Sequence, residues 1–179
     1  QDVLERVITD IPAPKGDENG PLQAQITLMD YNDFVGRIAI CTINRGKIIA
    51  GSTVAVVNKD GIARNVRISK LMGFKGLKRF DIEEASVGQI VAISGLGDIN
   101  VGETICAPDH LDPLPFVSIE EPTLEMFFMV NNSPFAGKDG DPVTSRKLSA
   151  RLFKEMETDV ALRVEATDSA DMFKVAGRG

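Results

Sequence analysis

Residues 36–51 read GRIAICTINRGKIIAG and residues 85–105 read ASVGQIVAISGLGDINVGETI. Each is a run of short β-branched segments interrupted by glycine where a turn would fall. Between them, residues 53–58 form another apolar run and Lys59-Asp60-Gly61 reads as a hairpin turn. Residues 62–72 then read as one long strand with Val66 and Ile68 inward, and residues 73–84 as a loop carrying Phe74, Leu77 and Phe80 among lysines. Short strands at this spacing predict a barrel, which also removes exposed sheet edges.

Working outward, residues 22–30 alternate. Leu22, Ala24, Ile26 and Leu28 fall on one face, with Gln23, Gln25 and Thr27 on the other, which predicts a half-buried strand. Residues 1–21 hold Pro12, Pro14, Gly16, Gly20 and Pro21 and read as a linker or the end of a preceding domain. The barrel is expected over 22–107. Residues 108–122, with Pro108, Pro113, Pro115 and Pro122, read as a connector. The pattern changes over 123–179. A strand at 123–130 and a polar loop at 131–141 precede a helix at 144–158 with Leu148, Leu152 and Met156 on one stripe. Strands at 161–167 and 172–176 follow. The order β-α-β-β is the first part of a ferredoxin-like βαββαβ unit, so a truncated α+β domain is expected. Its single helix would leave part of its sheet apolar and open to self-association.

Charge is unevenly distributed. The net charge is −6, yet residues 59–79 carry Lys59, Arg64, Arg67, Lys70, Lys75, Lys78 and Arg79 against the single acid Asp60. Residues 81–125 carry ten acids and neither Lys nor Arg. Such segregation lets a basic patch meet phosphate while the rest of the surface stays acidic. The other reading is a solvated face paired with the acidic half. The helix at 144–158 runs against its dipole, with Arg146 and Lys147 in the first turn and Glu155, Glu157 and Asp159 near the last. Cys41 and Cys106 lie in apolar strand contexts and read as buried thiols. No apolar run reaches the ~20 residues a spanning helix needs.

The two opening strings resemble the small β-barrel that follows the nucleotide domain in translational GTPases. NNSPFAGKDG (131–140), VTSRKLSARL (143–152) and ALRVEATDSADMFKVAGRG (161–179) narrow the resemblance. They are similar to the third domain of the TypA/BipA family, relatives of elongation factor G. The resemblance implies a cytoplasmic ribosome-binding GTPase linked to stress adaptation and large-subunit assembly. Its barrel is expected to lean on small-subunit RNA, and its third domain to relay nucleotide state. It also implies that GTP and Mg belong to a nucleotide domain outside this sequence. The nearest string to a P-loop, NSPFAGKD (132–139), has Asn132 for the first glycine and Asp139 for the required Ser or Thr. This chain is therefore expected to be no enzyme and to hold no cofactor.

Phosphate contacts are expected from Arg64, Arg67, Lys70, Lys75, Lys78 and Arg79, with Lys138, Arg146 and Lys147 as a weaker set near the nucleotide domain or the ribosome. Phe74 and Phe80 could stack on a base, but the general burial of Phe favours barrel plugging or domain packing. Expected partners are the ribosome, through rRNA and ribosomal proteins, and the parent's own nucleotide domain, with no membrane. The competing reading is a protein-interaction module. His110 is the single histidine, and beside Asp109 and Asp112 it makes no convincing metal set. Asp81, Glu83 and Glu84 read as a solvated turn rather than a catalytic pair.

Overall fold

A computed structural model describes residues 2–13, 15–117, 120–138 and 144–178. After helix α1 (Asp2–Asp10), ten strands follow: β1 (Gln23–Asn32), β2 (Gly36–Arg45), β3 (Lys47–Ile49), β4 (Thr53–Val57), β5 (Ala63–Arg67), β6 (Lys70–Lys75), β7 (Lys78–Asp81), β8 (Glu84–Ser86), β9 (Ile90–Ser94) and β10 (Thr104–Cys106). Eight of them form one sheet in the order β5-β4-β10-β1-β2-β9-β6-β7, and β3 pairs with β8. The chain itself shows why this sheet curls shut. β5 lies at one edge and β6 is seventh in order, yet only Ile68 and Ser69 join them. The Ile68 amide donates to Ser52 O at 3.0 Å and the Ser69 amide to Ser94 O at 2.9 Å. The link is thereby stitched to the residue preceding β4 and to the last residue of β9, toward the two ends of the order. Inside lie Ile26, Ile43, Leu71, Ile93, Leu96 and Ile105, each at most 1% exposed.

The expected long strand at 62–72 is therefore two strands that belong to opposite ends of the sheet. Gly95 explains the break, because its φ of +93° brings its backbone against Ser69. The expected loop at 73–84 is also structured: β6 and β7 form a hairpin with Lys75 opposite Lys78. Gly76 has φ +61° and no non-glycine residue has positive φ among the described residues, so Leu77 does not. A glycine at the first central position alone is the type II′ arrangement, whose twist suits a hairpin. In β1 the alternation breaks at a bulge between Ile26 and Leu28. The extra residue, Thr27, gives its hydroxyl to Ile40 O at 3.1 Å. Beyond it Met29 is buried at 4% and Leu28 is left 54% exposed, the reverse of the expected phase. α1 was not expected at all; its apolar residues Val3, Val7, Leu4 and Ile8 follow helical spacing but stand exposed.

The second unit contains β11 (Leu124–Met129), α2 (Ser145–Glu155), β12 (Arg163–Ala166) and β13 (Met172–Gly177), with sheet order β11-β13-β12. Leu152 on α2, with Leu148 and Met156, packs on Val164, Phe173 and Val175. Every residue of edge strand β11 is exposed, with Phe127 at 61% and Met129 at 67%. Thr144 caps α2, its hydroxyl accepting from the Lys147 amide at 3.4 Å.

Ion pairs join the two units. Arg37 of β2 donates from Nε to Glu157 at 2.7 Å and from Nη1 to Asp98 at 2.5 Å, and Lys154 pairs with Asp33 at 3.0 Å. Val160 packs against the barrel core. Glu157, which the expected helix at 144–158 would include, lies just past the end of α2 and is one of the second unit's two ionic grips on the barrel.

Candidate nucleic-acid interface

The geometry divides the expected cations by what each already holds. Arg64 donates from Nη1 to Leu96 O at 2.9 Å and from Nη2 to Asp98 O. Arg67 donates from Nε to Gly51 O at 2.9 Å. Both brace loops with backbone carbonyls as partners. Lys70 lies 3.7 Å from Asp81, an exposed and weak pair. Arg79 bonds Asp30 at 2.5 Å, and its guanidinium sits 5.7 Å from the centre of the Phe74 ring. Lys75 and Lys78, either side of the turn, have no ion-pair partner among the described residues and are exposed. Arg146 and Lys147 are likewise exposed on α2. Lys138 lies 4.6 Å from the centre of the Phe135 ring. Asp139, with the Asp141-Pro142 pair, lies outside the described residues.

Phe74 and Phe80 do not plug the barrel, since they remain 38% and 47% exposed. They flank an open groove of about 870 Å³, walled also by Gly73, Ile82, Ile90 and Val91. Gly73 makes the room: a Cβ there would lie 3.1 Å from the Phe80 ring. Leu77 stands fully in solvent at the hairpin tip. The hairpin therefore offers two unpaired ammonium groups, one guanidinium held in place, and open aromatic surface. Long, strongly hydrated lysines bind phosphate as point charges, and exposed rings stack on unpaired bases.

Asp30 anchors this arrangement. Burial works to raise its pKa, but the hydrogen bond from Arg79, the Tyr31 amide and the Arg79 charge together hold it below the ordinary value. Nothing in the local sequence pairs Asp30 with Arg79, which is 49 residues away; only strand pairing brings them together. Arg37 was missed for the same reason, although it lies within the opening string.

The other sequence candidates stay apart. His110 is exposed beside Ala107, and Asp112 is engaged by Arg45 at 2.8 Å. Among the described residues no three His, Cys, Asp or Glu side chains are placed to hold a metal ion. Cys41 and Cys106 are buried free thiols, and burial pushes both pKa values up. No helix among the described residues is long and apolar enough to cross a membrane.

Comparison with known proteins agrees with this architecture. Residues 36–106 match the family described as elongation factor Tu domain 2. Over 99% of its length the chain is 53% identical to the large ribosomal subunit assembly factor BipA of Bacillus subtilis. It is 50% identical to that of Synechocystis and 46% identical to that of Escherichia coli K12, with the same coverage. The chain spans about 30% of the length of these relatives. A crystal structure from Thermus thermophilus shares the fold with a TM-score of 0.67 at 20% identity, over 99% of this chain and 25% of that one.

Proposed function

We propose that the chain is a segment of a BipA-like protein and serves as a ribosome-docking and relay segment of a larger translational GTPase. In this reading the barrel meets rRNA, GTP hydrolysis with its GTP and Mg lies in another domain, and the whole acts in the cytoplasm during ribosome assembly and stress adaptation. The observation that carries the reading is the β6–β7 hairpin. There Lys75 and Lys78 are free of internal partners while Arg79 is pinned to Asp30. A surface that keeps ammonium groups uncommitted on a rigid hairpin suits phosphate, because no internal ion pair has to break on binding. Arg64 and Arg67 are secondary in this scheme because their guanidinium groups already brace loop carbonyls, and Lys70 because it lies near Asp81. Lys138, Arg146 and Lys147 form a second basic surface on the third domain, suited to the parent's nucleotide domain or to the ribosome.

The test is co-sedimentation of this chain with purified ribosomes across a salt series. Each phosphate contact steepens the slope of log affinity against log salt by about 0.7 to 0.9. Lys75→Ala/Lys78→Ala should flatten the slope by one to two such contacts. A slope unchanged by the pair would sink the assignment of the hairpin.

A second reading rests on a different observation. β11 is an uncovered edge strand with five apolar residues exposed, a surface suited to another protein, the parent's nucleotide domain or a second copy of the chain.

A further inference from the structure

The seam between the barrel and the third domain contains one carboxylate that its surroundings leave incomplete. Glu103, at the entrance to β10, is 5% exposed. Its Oε1 accepts from Asn100 Nδ2 at a long 3.4 Å, and its Oε2 is buried with no partner. A buried carboxylate oxygen without a donor is costly, and such groups are rare in folded proteins. Glu103 lines a cavity of about 430 Å³ between the two units, far larger than one water needs. The third domain contributes Val160 and Arg163 to its wall, and the barrel contributes Lys59 at the β4–β5 turn. Arg163 also lines a smaller cavity of about 140 Å³ beside Arg37 and Glu157. Among the described residues Arg163 has no ion-pair partner, so an uncommitted guanidinium and the residue that carries the incomplete carboxylate line one void from opposite domains.

The pair that closes the seam is built to let go. Arg37 holds Glu157 of the third domain and Asp98 of its own barrel together. Losing Glu157 leaves Arg37 bonded to Asp98, so no guanidinium is stranded. Lys154 and Asp33, the other bridge, are both more than half exposed and cheap to part.

We propose that this seam is a two-position joint. In the arrangement described, Arg37 bonds Glu157; in the second, the third domain rocks into the 430 Å³ cavity and Arg163 completes Glu103. The joint trades one ion pair for another, as a bistable element requires, and both positions are compact.

Spin labels at Asn65→Cys on β5 and Ala150→Cys on α2 would read the distance between the units. Cys41 and Cys106, both fully buried, should stay unlabelled. Arg37→Ala should raise the population of a second distance several-fold. Adding Glu103→Gln, which keeps the side chain's shape, or Arg163→Gln should return it to the parent distribution, whereas Lys59→Gln should not. An Arg37→Ala distribution that does not move, or that moves identically with and without Arg163, overturns the proposal. Reversal by Lys59→Gln alone also overturns it, because Lys59 lies on the barrel's own side of the cavity and needs no domain motion to act there. Thermal unfolding of each variant confirms that the distances come from folded protein.

Discussion

Arg64 and Lys75 both come from the basic window at 59–79, and the fold gives them opposite tasks. Arg64 closes two carbonyls of the 96–98 turn, and charged donors to neutral acceptors contribute about 1.5–3 kcal/mol. Arg64→Ala should therefore lower the melting temperature by that amount of stability and leave the salt slope of ribosome binding unchanged. Lys75→Ala should do the reverse. Asp30 adds a pH test at this scale. Its folded pKa lies below the unfolded value, so its contribution is complete above the unfolded pKa and is lost as pH falls through the lower folded one. The Arg79 anchor should thus persist through about pH 4 and fail only in stronger acid, read by the NMR chemical shifts of the Phe74 ring. At Cys41, burial raises the thiol pKa so far that thiolate is absent at neutral pH. Ellman's reagent should react with it only at the rate of unfolding.

At the scale of elements, legibility followed locality. The strands at 36–45 and 90–94 were readable because their β-branched runs end in glycines that the turns require. The α2 stripe was readable because Leu148, Leu152 and Met156 meet one sheet face. Three things were not. The Thr27 bulge preserves the apolar composition of β1 while reversing its phase, and alternation alone cannot register an inserted residue. The break at Ile68-Ser69 lacks both glycine and proline, being imposed by Gly95 from another strand. The β6–β7 hairpin was hidden by lysines, which are ordinary on an exposed edge. Its cations were nameable from the sequence, but which of them stay unpaired was decided by Asp30, Asp81, Gly51 and Leu96, all brought in by the fold. β11 carries the prediction belonging here. Its edge has no proline or bulge, and its one charge, Glu125, is paired to Lys174 at 2.9 Å. The chain should self-associate in light scattering at high concentration, and Phe127→Lys should restore the monomer. A wild-type chain monomeric throughout would remove β11 as a contact surface.

Across the whole molecule, the acidic excess and the basic hairpin make the chain strongly dipolar rather than repulsive to RNA. Association with ribosomes should therefore slow with added salt more than dissociation quickens, which stopped-flow mixing can separate. The connector bears on how the two units work as one body. It lies along the barrel, with Gln23 donating to Asp112 O at 2.7 Å, Gln25 to Pro115 O at 3.1 Å, and the Leu114 amide to Thr104 Oγ1 at 3.1 Å. Phe116 then seats against Gly102, where a Cβ would lie 3.0 Å from its ring. The last of these contacts is at Phe116, so only a short stretch of sequence separates the pinned connector from β11, which begins at Leu124. A leash that short keeps a released domain at an effective concentration of about millimolar beside its partner. Even contacts too weak to form between separate molecules will re-form within it. Inserting glycines after Phe116, with every contact residue untouched, should be enough to loosen the pair.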